Sequence, residues 1–386
     1  MARTSHLQIV LKVSERCNIK CTYCYFFFGG DQSYKNHAAV IEDDSIEAVA
    51  RFLEREIASE GIDRVSIALH GGEPLLMKKQ RFARMLERLT RATASTKLTV
   101  SLQTNGMLID DEWVDIFTQY QIQVGVSLDG PRRMNDVYRI DKRNAGTYDR
   151  SVEGLKRVQN ASMAGWLPDP AILCVINVRN DPKAIFEHFV GELGVKKLDF
   201  LLPDENHEVF DRNTIGEYGK FLSTAFHLWV KENDPSISIR IFEHLVFLLK
   251  SNRAGRRKNK EAQRSVKVIT VSSDATIGLD DVLRSAVPSL FFQMKHVDET
   301  SLSELFAGRE SAIVEMASEQ LPDSCRGCLW DDVCAGGYHL VHRYSQEREF
   351  NNASVYCEDM KIILADILRA LHRSGAPAER LVEALA

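Results

Sequence analysis

Leu7–Phe26 reads LQIVLKVSERCNIKCTYCYF, an apolar run that stops at three closely spaced cysteines. The run has the alternation and branched side chains of a β-strand. Cys17, Cys21 and Cys24 then share one short loop straight after it. Cysteine thiolates hold iron–sulfur clusters, four per cluster as a rule. Three ligands with no fourth nearby leave one iron open, and an open coordination site is where metal chemistry takes place. Taken alone, the spacing also suits a structural zinc loop with a distant fourth ligand.

Strand-like and helix-like segments alternate outward from this loop. SIEAVARFLEREIASEG (45–61) has helical spacing and stops on glycine. RVSIALHGGEP (64–74), KLTVSLQTNG (97–106) and QVGVSLDG (123–130) read as strands that end in turn residues, with helical stretches between them. AILCVINVRN (171–180) and KKLDFLLPDEN (196–206) continue the series. A βαβα rhythm implies an α/β fold with a parallel sheet, and functional groups gather where its strands end.

The rhythm fades near residue 250. KSNRAGRRKNKEAQRSVK (250–267) is strongly basic without an apolar face and reads as a solvated loop, a possible meeting place for an acidic peptide. VKVITVSSDATIGLDDVL (266–283) then suggests a hairpin that opens a smaller second domain, and the chain ends in helical sequence through 386. The expected domains are therefore 1–245, a linker at 246–265, and 266–386.

Composition narrows the function. The 386 residues are 44% hydrophobic with a net charge of −5, which gives no bulk attraction for nucleic acid. No run of about 18 apolar residues suggests a membrane span, and the first residues lack the apolar core of a signal peptide. A cytoplasmic protein is expected. Tight cysteine spacing in such a chain points to metal before disulfide. Cys174, inside an apolar strand, reads as a buried small hydrophobe.

CNIKCTYC, with Tyr23 before the third cysteine, resembles the signature of the radical S-adenosylmethionine (SAM) superfamily. GGEP at Gly71–Pro74, QTNG at Gln103–Gly106 and SLDG at Ser127–Gly130 are similar to that superfamily's later strand-end motifs, and they fall in order. The resemblance implies a partial (β/α)6 TIM-like barrel over about residues 7–240. It implies a [4Fe–4S] cluster on Cys17, Cys21 and Cys24 that chelates SAM. It assigns SAM contacts to Tyr23, Gly71, Gly72, Glu73, Gln103, Asn105, Ser127, Asp129 and Arg139. Glu73 suits a cationic amine, and glycines let backbone approach closely.

Cys325, Cys328, Cys334 and Cys357 form a second set, enough for one fully ligated cluster or for zinc. The segment 266–360 resembles the auxiliary-cluster module called SPASM. Two departures matter: Tyr338 stands where the module carries a further cysteine, and no cysteine lies between Cys174 and Cys325. One auxiliary [4Fe–4S] cluster is expected rather than two, which weakens the match to sulfatase-maturing enzymes.

AGGYHLVHRYS (335–345) and FNNASVYCEDM (350–360) resemble maturases that build cyclophane rings in ribosomal peptides, as does FLLPDENHE (200–208). That resemblance implies β-hydrogen abstraction from a precursor peptide carrying a leader, then a C–C bond to an aromatic ring. It implies an electron donor such as flavodoxin or ferredoxin. Asp204 is the candidate base, with Glu205 or His207 as substitutes; His339, His342, Arg343 and Tyr344 either line the channel or pack around the cluster. The alternatives are ether or thioether linkage, epimerisation or formylglycine formation by a radical SAM enzyme, and a zinc-stabilised binding module.

Overall fold

The computed structural model of the protein describes residues 5–29, 32–287, 294–337 and 339–377. Tyr338 and the helical reading of 378–386 lie outside them. Ten strands are present among these residues: β1 (His6–Ser14), β2 (Arg64–Gly71), β3 (Lys97–Thr104), β4 (Gln123–Ser127), β5 (Ala171–Val175), β6 (Lys197–Leu201), β7 (Ser238–Ile239), β8 (Val266–Val271), β9 (Thr276–Gly278) and β10 (Lys295–His296).

The chain forms two compact units. The first runs to Leu128 and includes Arg132–Ile172 and Gln263–Ala312; the second comprises Asp129–Pro131, Leu173–Ala262 and the chain from Ile313 on. In the first unit the strand order is β10-β9-β8-β1-β2-β3-β4. β1, β2, β3 and β4 pair in parallel, as the βα rhythm requires. In the second unit β6 pairs with β7, again in parallel. This is the mixed α/β, open parallel sheet expected of a partial barrel.

β1 lies inside the sheet. Leu7, Ile9, Leu11 and Val13 are buried, and so are Lys12 and Ser14 on the opposite face. Parallel strands covered on both faces read as near-continuous apolar runs, which LQIVLKV is. The helix Asp43–Glu60 opens on Asp43 and Asp44 and ends at Gly61, whose φ of 64° supplies the left-handed stop. Its Ile46, Val49, Phe52 and Leu53 are buried.

Two sequence expectations differ from the structure. The hairpin at 266–283 forms, since β8 and β9 pair antiparallel, but it does not open a second domain. β8 pairs in parallel with β1 from His6↔Val266 to Leu11↔Val271, so 263–312 belongs to the first unit. Without β8 that edge of β1 would leave a row of unpaired N–H and C=O groups.

The basic linker expected at 246–265 is also absent. Arg240–Lys250 and Arg253–Arg264 are helices. Asn252 accepts the Gly255 N–H at 2.9 Å and starts the second one. Arg256 is buried and donates to the Ser251 carbonyl at 2.6 Å, while Arg253 pairs with Asp332 at 3.1 Å. The helix is held by its cations rather than by an apolar stripe, so the hydrophobic pattern does not reveal it. No helix among the described residues is long and apolar enough to cross a membrane.

Candidate functional site

The cysteine loop leaves β1 and is held by its neighbours through backbone bonds. Gly72 N–H donates to Ser14 O at 2.7 Å and Glu73 N–H to Arg16 O at 2.9 Å. A Cβ on Gly71 or Gly72 would overlap the Ser14 or Arg16 carbonyl oxygen. These glycines therefore allow the GGEP turn to press on the cysteine loop. On the other side, Lys20 N–H reaches Ile140 O at 2.8 Å and Thr22 N–H reaches Tyr138 O at 3.1 Å.

Cys21 packs with Ile19 and Met107, and Cys17 and Cys24 lie against that cluster. Burial pushes the Cys17 thiol up to about 12, and the neighbouring Glu73, Cys21 and Cys24 push the same way. Burial also raises Cys24, while Arg139 and Lys12 pull it down. Three soft thiols packed on one small apolar cluster, with Cys24 near the positive charges of Arg139 and Lys12, are the donor set of an iron–sulfur cluster with an open iron. The fit to such a cluster is good.

Glu73 is fully buried. It accepts from Leu75 N at 3.0 Å, Thr104 Oγ1 at 2.7 Å and Asn105 N at 2.8 Å. A carboxylate has about four acceptor directions, so one remains for a cation. Burial raises its pKa, against which the three donors and Arg139 work. Asn105 donates to Asn18 Oδ1 at 2.7 Å and approaches Cys17 Sγ at 3.9 Å. Gln103 donates to Ser127 Oγ at 2.7 Å. Arg139 is buried and donates to Tyr23 Oη at 2.8 Å, within electrostatic reach of Cys24 and Glu73. The first unit thus gathers Tyr23, Glu73, Asn105 and Arg139 around the three thiols. Gln103 and Ser127 form a separate pair at the ends of β3 and β4. Asp129, in the second unit, is buried and accepts the Val175 N–H at 3.3 Å.

One cluster behind the loop was not legible in the sequence. Lys12, buried in β1, forms an ion pair with Asp281 and a 3.1 Å hydrogen bond to His70 Nδ1. Tyr25 Oη donates to Asp281 Oδ2 at 3.1 Å. Burial opposes ionisation of Asp281, but the Lys12 charge outweighs it and sets the carboxyl at about 2. His70 is pushed down to about 3 by burial and then by Lys12, so it is neutral. The signals were a lysine inside an apolar strand and tandem acids after another strand.

In the second unit Cys325, Cys328, Cys334 and Cys357 line a single cavity with Trp330, Met360 and Lys361. The loop is built from short bonds, Cys334 N–H to Trp330 O at 2.7 Å among them, and Cys357 opens the helix Cys357–Arg373. Burial raises Cys334 to about 12, and the other three thiols push it further. Among the described residues no three His, Cys, Asp or Glu side chains close on one point as around a single ion. Four thiols lining one cavity are the donor set of a four-iron cluster, and equally of zinc.

The other predicted residues separate. Asp204 is half-buried and lies within electrostatic reach of Tyr356. Tyr356 Oη donates to Pro203 O at 2.9 Å and reaches Glu205 Oε2 at 3.3 Å; burial raises Glu205. His207 Nε2 meets the Ala353 carbonyl at 2.8 Å, so that nitrogen carries its proton and is no base. Arg343 spends its guanidinium on the carbonyls of Phe350, Ala317 and Gln320. His342 is buried, 4.8 Å from the Tyr356 ring edge-on. Arg343 and His342 are packing groups. Cys174 is fully buried, as its apolar strand implied.

Residues 11–167 match the Radical SAM superfamily profile. A cysteine-type anaerobic sulfatase-maturating enzyme of Clostridium perfringens is 26% identical over 377 residues, 92% of this chain and 94% of that one. A serine-type anaerobic sulfatase-maturating enzyme of Bacteroides thetaiotaomicron is 26% identical over 61% of this chain and 60% of its own. The solved structure of native anSMEcpe with bound AdoMet shares the fold, with a TM-score of 0.76 at 22% identity over 95% of this chain and 98% of that one. With three thiols on the loop after β1 and the profile match over the same strands, the chain is a radical SAM enzyme.

Proposed function

We propose that this enzyme oxidises a cysteine or serine side chain of a peptide to formylglycine. The observation that carries the reading is the similarity to a cysteine-type sulfatase-maturating enzyme along 92% of the chain. A fold match to anSMEcpe with bound AdoMet and Cp18Cys peptide supports a peptide substrate.

When bound, the [4Fe–4S] cluster and SAM supply a 5′-deoxyadenosyl radical that removes a β-hydrogen atom from the substrate. Cys17, Cys21 and Cys24 would hold that cluster. Glu73 would receive the SAM amine, Arg139 its carboxylate, and Ser127 and Asp129 the ribose. The remaining β-carbon radical must lose one proton and one electron. Asp204 is the base, with Glu205 beside it. Cys325, Cys328, Cys334 and Cys357 would hold the auxiliary cluster as electron acceptor. A serine then gives the aldehyde directly; a cysteine gives a thioaldehyde, which water converts to the aldehyde with release of hydrogen sulfide.

A second reading keeps the same first step and ends in a cyclophane. It is favoured by the lack of any cysteine between Cys174 and Cys325, which leaves one auxiliary cluster, and by AGGYHLVHRYS–FNNASVYC. The test is anaerobic turnover of cysteine, serine and aromatic-rich peptides by the reconstituted enzyme. A product that reacts with a hydrazide supports formylglycine. A product lacking two hydrogens, unreactive to hydrazide and fragmenting as a ring–carbon crosslink, overturns it in favour of the second reading.

A further inference from the structure

A groove of about 360 Å³ opens on the solvent side of the cysteine loop. Its floor is Asn18, Met107 and Leu108, and its rim is Lys142, Arg143 and Arg150. The floor touches the cluster ligands: Met107 packs on Cys21, and Asn18 is hydrogen-bonded to Asn105, which approaches Cys17 Sγ. Met107 and Asn18 thus connect the groove to the surroundings of Cys21 and Cys17.

The rim is rigid. Ile19 bridges to Asp141 and Ile140 to Gly146, and Asp141 N–H reaches Ala145 O at 2.8 Å. The tight turn between them places Asn144 at a φ of 64°. Asp141 is the one carboxylate in the lining, and its oxygen accepts the N–H groups of Arg143 at 2.7 Å and Ala145 at 2.9 Å. Those bonds keep it ionised, so it offsets one of the positive charges around the groove. Lys20, Lys142, Arg143 and Arg150 are exposed and have no ion pair among the described residues. This concentrates positive charge on a protein whose net charge is −5. The exposed cations next to the cysteine loop attract an acidic surface from a distance and orient it.

We propose that this groove docks an acidic one-electron donor protein, of the reduced flavodoxin kind, that reduces the cluster held by Cys17, Cys21 and Cys24. One electron leaves the donor's flavin hydroquinone and enters the cluster; no bond or proton changes hands at the groove. The proposal rests on the radical SAM chemistry, not on which product the enzyme makes.

The test compares the reconstituted holoenzyme with the charge-reversed variant Lys142→Glu/Arg143→Glu/Arg150→Glu. Binding of oxidised flavodoxin is measured by calorimetry at low and high salt, and carbodiimide coupling maps contacts to Lys142. Binding by the parent enzyme should weaken steeply with salt, and the variant should bind at least about tenfold more weakly with a flatter salt dependence. Flavodoxin-driven SAM cleavage should fall in parallel, while dithionite-driven cleavage stays at the parent rate. Unchanged flavodoxin affinity, or coupling that maps away from the groove, overturns the proposal. So does an equal loss with dithionite, which would make the groove part of the SAM site or the fold. A variant that keeps flavodoxin affinity but loses an acidic peptide would make it a peptide site instead. A single Lys142→Gln variant, which disturbs less, should shift affinity in the same direction.

Discussion

Glu73 accepts the backbone N–H of Asn105 at 2.8 Å, and this bond ties the end of β2 to the end of β3 beside Cys17. The same carboxylate is expected to hold the SAM amine, so one side chain both braces and binds. Glu73→Gln keeps the shape but turns an NH2 towards existing donors. Stability should fall by about 1–3 kcal/mol and 5′-deoxyadenosine formation by about 10- to 100-fold. Parent-like formation of 5′-deoxyadenosine in the variant would remove Glu73 from the SAM site.

Gly72→Ala places a methyl group on the Arg16 carbonyl oxygen. Backbone oxygen cannot rotate aside as a side chain does, so the cysteine loop must shift. Reconstituted iron should drop by about four atoms per chain, the content of one cluster. Full iron content with normal absorbance would show that the loop tolerates the shift.

Lys12→Met removes a buried ammonium and leaves Asp281 buried without its main partner. Breaking such a pair costs roughly 3–5 kcal/mol. The double replacement Lys12→Met/Asp281→Leu should recover much of that loss, because neither charge is then stranded. Thermal denaturation of these two variants, of Asp281→Leu alone and of the parent forms the cycle, and a double variant no better than Lys12→Met counts against the pairing argument.

Asp280 is raised to about 6, first by burial and then by the charge of Asp281. A carboxyl raised in the fold favours the folded state below its unfolded pKa, near 4. That contribution disappears as pH rises through 6. Asp280→Asn keeps the cap on Val282 N–H. It should therefore raise stability by about 1–2 kcal/mol at pH 8 and by nothing at pH 4. Melting curves at the two pH values check it; equal gains at both would point to a cause other than ionisation.

The site residues carried by local motifs were legible. Cys17, Cys21 and Cys24 share one loop, and GGEP and QTNG each end a strand, so spacing along the chain already reports proximity. Lys12, His70 and Asp281 were not, because Lys12 and Asp281 are 269 residues apart and meet only through sheet pairing. The β8–β1 pairing escaped notice for the same reason: parallel partners leave no turn between them to read. The helix Arg253–Arg264 was missed because buried Arg256 and the Arg253–Asp332 pair secure it where an apolar stripe would ordinarily do so. The smaller unit could not be bounded from its cysteines alone, since residues 173–262 and the chain beyond 313 contribute to it together.

β8 gives the molecule a threaded order. The chain leaves the first unit near residue 172, returns at 263 to complete the sheet beside β1, and departs again at 312. No single cut therefore frees the SAM-binding half. A fragment ending at residue 245 would lack the strand that covers β1 and the aspartate that neutralises Lys12. The C-terminal third cannot be treated as a detachable module, and swapping it between enzymes would have to carry β8 and Asp281 back with the barrel.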